Sequence, residues 1–130
     1  MLTSTPDSSP QYSTEQMGDP RLLVLRAVRA RLSDPSKWAR GTMCRDSKGR
    51  PTHRGSETAA AWDLLGALFL EGERLGRGLV GAFNLLKAVL GPWETIGRFN
   101  DTTTHEGLLD LIDSAIDLAL RQAPTDKEQL

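Results

Sequence analysis

The chain has 130 residues, 16 Lys plus Arg against 17 Asp plus Glu, and a net charge of −1; this fits one domain and excludes a generally basic, histone-like binder and a uniformly acidic solvating protein. Its single cysteine, Cys44, excludes a disulfide framework and a paired-cysteine zinc or redox site. The longest apolar run is about five residues against the ~20 of a membrane span, and the N-terminus lacks the basic and apolar regions of a secretory signal, so a cytoplasmic protein is expected.

Residues 1–19, MLTSTPDSSPQYSTEQMGD, are rich in Ser, Thr, Pro and Asp and poor in aliphatic side chains. They bury too little apolar area to offset their ordering entropy, and a flexible arm is expected. A helical domain is expected over 20–123. Asp19-Pro20 reads as an N-cap followed by proline at the first helical position. Leu22, Leu23, Leu25, Ala27, Val28 and Leu32 then give the apolar face of a helix that stops at Ser33-Asp34-Pro35. Arg21, Arg26, Arg29 and Arg31 interleave with them, either as a solvated face or as contacts to nucleic acid.

Residues 36–55 are irregular. Asp46-Ser47-Lys48-Gly49 predicts a turn, and a marginal β-ribbon pairing 42–45 with 50–53 fits around it. Ser56 is expected to cap a second helix over 56–70, apolar around most of its circumference and therefore the most buried. Gly66 within it marks a close approach of another backbone. The stretch EGERLGRGLVG lacks the Lys-Ser/Thr of a phosphate loop and reads as a helix break. A third helix runs from Leu79 to Leu90 and ends at Gly91-Pro92. The last helix is expected to open at Thr103 with Glu106 in a capping box and to close at Pro124, leaving 124–130 as a frayed tail. Trp38, Trp62 and Trp93 are expected to plug the core between elements. The fold class that follows is all-α: a compact bundle of about four helices, with an irregular loop or short β-ribbon between helices one and two.

The strongest charge bias lies at 37–54, where Lys37, Arg40, Arg45, Lys48, Arg50 and Arg54 face the single Asp46, with Trp38 and His53 among them. Such a loop suits an acidic protein partner or a nucleic-acid phosphate. It is equally accounted for by a solvated loop balanced by Asp110, Asp113 and Asp117 of the last helix. Cys44 with His53 or His105 would be a thiol nucleophile only if an imidazole sat at hydrogen-bond distance. Two histidines about fifty residues apart give no metal-ligand spacing, and neither a metal nor a cofactor is expected. Asn100 and Asp101, just before the last helix, are the first polar candidates for a site, although an Asx-turn or cap would also employ them.

Trp38-Ala39-Arg40-Gly41, Arg45-Asp46 with Gly49-Arg50, Leu64-Leu65-Gly66-Ala67-Leu68 and Phe99-Asn100-Asp101 appear in this order over roughly residues 22–121. Together they resemble a family of small bacterial and phage proteins of unknown function with W-x-x-G, R-D-x-x-G-R, L-x-G-A-L and W-N-D motifs. Phe99 stands where that family usually has Trp, which keeps the position apolar. The resemblance implies a shared fold and no particular activity. Because such proteins occur in phage genomes and among mobile-element cargo, it also implies a host-interaction or anti-defence role.

The reading that follows is a non-enzymatic interaction module. Its partner would be a larger protein or complex, contacted through Lys37, Trp38, Arg40, Arg45, Lys48, Arg50 and Arg54. A nucleic-acid accessory protein using the same loop and a small enzyme with a site near Asn100 and Asp101 are the alternatives. No membrane partner is expected. A homodimer is compatible with any of the three, since the 56–70 helix is apolar nearly all round.

Overall fold

The computed structural model describes residues 18–128. Most of the expected arm, 1–17, and the last two residues of the expected tail lie outside the described residues.

Asp19 caps the first helix, α1 (Pro20–Leu32), through a side-chain oxygen that accepts from the Arg21 N–H. Proline at N1 costs nothing there, because that backbone nitrogen has no helical acceptor. Leu22, Val24, Leu25, Val28 and Leu32 are all buried, and α1 packs against three further helices. The arginines between them are held by acids: Arg21 by Asp19, Arg29 by Asp113 (2.5 Å) and Arg31 by Glu71 (2.5 Å). A 3₁₀ turn (Pro35–Lys37), capped by Asp34, redirects the chain.

The expected all-α bundle is corrected in two respects: among the described residues five helices form, and a two-stranded antiparallel sheet joins them. Strand β1 (Cys44–Asp46) pairs with β2 (Ala59–Trp62), matching Cys44 with Trp62 and Arg45 with Ala61. The ribbon partner is therefore 59–62; residues 50–53 form no strand and supply an isolated Arg45–Pro51 bridge, the bond from Thr52 N–H to the Cys44 carbonyl and the bond from Asp46 N–H to the Arg50 carbonyl. The turn between them forms as its sequence predicts. Asp46 Oδ1 accepts from the Lys48 and Arg50 N–H groups, and Gly49 takes φ +83°.

The second helix does not start at Ser56. Ser56 Oγ accepts from the Thr58 N–H in a local turn, and Ala59–Trp62 are extended. Three alanines would favour a helix, but their backbone is bonded instead to β1, and the Trp62 carbonyl accepts from the Ala39 N–H. Tertiary pairing overrides propensity here. Helix α2 (Leu64–Leu75) begins after Asp63, whose side chain accepts from the Gly66 N–H. Leu64, Ala67 and Leu68 are buried and Leu65, Phe69 and Leu70 half-buried, so one chain covers much of the face that suggested a dimer. The most central helix is α1, not this one.

Helix α3 (Leu79–Leu90) starts and stops where its glycines place it. Next comes a helix the sequence did not suggest, α4 (Ile96–Thr102), capped by Thr95. Asn100 and Asp101 lie inside it rather than in a turn. Helix α5 (His105–Glu128) follows directly. Its first turn is capped by Thr104 Oγ1, which accepts from the Gly107 N–H, so the expected Thr103–Glu106 box does not form; Thr103 ends α4 instead. The backbone stays helical past Pro124, because proline's fixed φ is itself helical and only one donor is lost. Trp93, expected in the core, is 88% exposed.

Gly66 is the closest backbone approach in this frame. A Cβ built there would stand 2.2 Å from the Met43 carbonyl oxygen, which also accepts the Asp63 N–H. Gly66→Ala is expected to destabilise the fold by about 2–3 kcal/mol in denaturant unfolding, because the overlap outweighs the helix-propensity gain of about 1 kcal/mol. Gly97→Ala, where an added Cβ meets nothing within 4 Å, should stabilise by about 0.5–1 kcal/mol.

Candidate functional site

The motif residues converge on one buried side chain. Asn100, fully buried on α4, uses all four of its hydrogen-bonding positions. Its Oδ1 accepts from Trp38 Nε1 (2.6 Å) and from the Leu64 N–H (3.0 Å). Its Nδ2 donates to the Ala39 carbonyl and to Asp101 Oδ1, each at 3.0 Å. Asp101 Oδ1 in turn accepts from the Gly41 N–H (2.9 Å). That N–H, the Asn100 amide and the Arg40 charge hold the Asp101 carboxyl below its ordinary range. The W-x-x-G turn, the start of α2 and the helix carrying Phe99-Asn100-Asp101 are thus tied through one amide. With its donors and acceptors all satisfied, Asn100 has nothing left with which to bind a substrate.

His105 adds to the same node. Its ring centroid lies 5.7 Å from that of Trp38, and its Nε2 donates to the Leu32 carbonyl (2.7 Å). Cys44 is buried in the core on β1, and its Sγ donates to the Arg45 carbonyl at 3.9 Å, while His53 Nδ1 accepts from the Gly55 N–H. Burial pushes the Cys44 thiol up, and the nearby Asp63 charge adds to this. A buried, protonated thiol without an imidazole partner is the opposite of an activated nucleophile. Among the described residues no group of three His, Cys, Asp or Glu side chains is placed to hold a metal.

The basic loop divides into two sets. Arg50 pairs with Asp46 (3.2 Å), and Arg54 pairs with Glu73 while lying over the Phe69 ring. Arg40 and Arg45 differ, because their guanidinium groups are held by carbonyls: Arg40 by Thr103, and Arg45 by Gly49 and Arg40, both at 2.9 Å. Arg40 also stacks over Trp38, 4.7 Å from the ring centroid. These two, with Lys37 and Trp38, line an open groove of about 700 Å³ whose other wall includes Ala60 and Ala61. Lys48 lies on the adjoining turn. The acids of the last helix that the solvated-loop reading named lie elsewhere: Asp113 pairs with Arg29, Asp110 acts on the same arginine, and Asp117 pairs with Arg121.

Sequence reasoning passed over two buried acids. Asp63 is 7% exposed, and burial pushes its carboxyl up to about 6 against the Gly66 N–H, which lowers it; Asp101 adds to the rise. An Asp directly before Leu64-Leu65 is an N-cap signal, hidden by reading the helix through it from Ser56. Glu71, 4% exposed, pairs with Arg74 at helical i+3 spacing, which the sequence shows, but its burial comes with Arg31, 40 residues away, which only the tertiary structure brings to it.

The model of a family of unknown function, DUF6197, matches residues 18–118, and the chain belongs to that family. No curated protein and no solved structure matches it.

Asn100→Leu should cost about 3 kcal/mol or more in chemical unfolding, because it leaves the Trp38 and Leu64 donors and the Ala39 carbonyl buried without partners. Asp63 predicts a pH dependence. Its folded-state value near 6 lies above its ordinary value of 3.8, so its contribution is fully present below about pH 4, declines as pH rises to about 6 and stays flat beyond. The difference in unfolding free energy between the parent chain and Asp63→Asn, measured from pH 3.5 to 7, should therefore shift against the parent by about 2–3 kcal/mol.

Proposed function

We propose that this DUF6197 protein is a non-enzymatic interaction module that receives an acidic segment of a larger protein in the groove beside the 37–50 loop. The observation that carries this reading is the state of Arg40 and Arg45. Both guanidinium groups are fixed in place by hydrogen bonds to backbone carbonyls; Asp101 acts on Arg40 through space without bonding it, and the N–H edges not used by carbonyls face a partner. Fixing them in advance removes much of the side-chain entropy that binding would otherwise cost. Trp38, beneath Arg40, supplies apolar area of the kind that anchors interfaces, and Ala60 and Ala61 leave the opposite wall low. The complementary partner chemistry is a carboxylate-bearing loop or strand, steered by Lys37, Arg40, Arg45 and Lys48.

Two features weigh against nucleic acid in the same groove. Arg50 and Arg54 already carry carboxylate partners, and the chain as a whole bears a net charge of −1. A small enzyme at Asn100 and Asp101 is disfavoured by the saturation of the Asn100 amide. Inhibition of a host defence complex is the concrete form suggested by the resemblance to small bacterial and phage proteins.

Affinity capture from nuclease-treated lysate of the source organism tests the reading, with the parent chain and Arg40→Glu compared side by side. The parent should retain a stoichiometric protein partner, and Arg40→Glu should lose it, with at least a tenfold weaker Kd for the purified pair and a melting temperature within a few degrees of the parent. Equal capture by both chains would overturn the proposal. Recovery that disappears with nuclease would assign the loop to nucleic acid.

A further inference from the structure

A second groove, on the other side of Lys37 and Ala60, is built differently. It lies between α1, β2 and α2, encloses about 720 Å³, and has an apolar lining of Ala27, Ala30, Ala59, Ala60 and Leu75. Arg31 stands in it, held on two sides. Its Nε donates to Glu71 Oε2 (2.5 Å), and its guanidinium lies 4.5 Å over the Trp62 ring. Among the described residues its two terminal nitrogens have no hydrogen-bond acceptor, although the side chain is 21% exposed. Glu71 is buried, and both its oxygens are occupied, one by Arg31 and the other by Arg74 Nη1 (3.2 Å). Lys37 lines the same groove, so three cations share it with one committed carboxylate.

We propose that this groove binds a terminal carboxylate carrying a short aliphatic group, received by the Nη1–Nη2 edge of Arg31. A guanidinium fixed through its Nε edge and its face leaves the one edge whose two parallel N–H groups match a planar carboxylate. Trp62 and Glu71 hold that edge in position before the ligand arrives, which cuts the ordering cost of binding. The alanine and leucine lining accepts a small aliphatic group, which a short carboxylic acid carries and inorganic phosphate does not. The ligand is either a free short-chain acid or the C-terminus of a peptide ending in a small aliphatic residue.

The test follows the Trp62 indole N–H, which donates to the Arg54 carbonyl, by two-dimensional NMR of the full chain. The probes are isobutyrate, N-acetyl-Ala-Val as the free acid, the same dipeptide as its C-terminal amide, and inorganic phosphate. At least one acid should give a saturable shift, with the amide and phosphate at least tenfold weaker. Saturation by isobutyrate identifies a free acid as sufficient; saturation by the peptide acid alone identifies a peptide C-terminus. Arg31→Lys, which keeps the charge and loses the fork, should weaken acid binding at least tenfold. The proposal is overturned if neither acid saturates, if amide or phosphate binds as tightly as the acid, or if folded Arg31→Lys binds like the parent. The acid–amide comparison uses the unaltered chain and decides the matter even if Arg31→Lys does not fold.

Discussion

The architecture depends on the burial of one amide. Asn100 could not be placed in the interior unless both its oxygen and its nitrogen found partners, because an unpaired buried polar group costs as much as several good contacts return. The partners it finds come from two separate stretches: the Trp38 indole and Ala39 carbonyl in one, and the backbone N–H at the start of α2 in the other. Satisfying the amide therefore fixes the irregular 38–41 segment against two helices that it does not adjoin in sequence. A hydrophobic contact would have tolerated sliding; four directional bonds do not.

From that fixed point the rest of the sheet region follows. With Ala39 anchored, its N–H reaches the Trp62 carbonyl, and β2 is held extended between Ala39 on one side and β1 on the other. The alanines cannot then wind into a helix, and α2 starts only after Asp63 has capped it. Gly66 completes the arrangement by letting the Met43 carbonyl come closer than any side chain would allow. The burial that raises the Asp63 carboxyl is thus a consequence of the same tight junction.

The junction also shapes the surface. Because β2 is short and made mostly of alanine, it leaves a groove on each side. Different physics governs the two. In the first groove, Arg40 and Arg45 brace the 38–50 loop through backbone carbonyls. In the second, Arg31 is clamped by an aromatic face and a buried carboxylate, leaving one edge open. Arginine suits both arrangements, because its planar group can be anchored through one edge or face while another remains available. Lysine, with its single charged nitrogen, could do neither.

The sequence by itself determined what local rules govern. Asp19-Pro20 and Gly91 bound α1 and α3 because caps and left-handed glycines act within a few residues. The Asp46–Gly49 turn and the need for glycine at 66 were legible for the same reason. Asn100, Asp101, Trp38, Arg40 and Arg45 could each be singled out as residue types able to form a polar site. That they belong together, and that bonding among themselves is what occupies Asn100, only the tertiary structure decided. The strand 59–62 was hidden because three alanines signal a helix and the hydrogen bonds that extend them come from residues 39 and 44–46. Helix α4 was hidden because it is a seven-residue element held by burial of Ile96 and Asn100 rather than by a periodic apolar face. The clamp on Arg31 left no trace in the sequence, since Glu71 lies 40 residues away and only packing of α1 against α2 brings the two charges into contact.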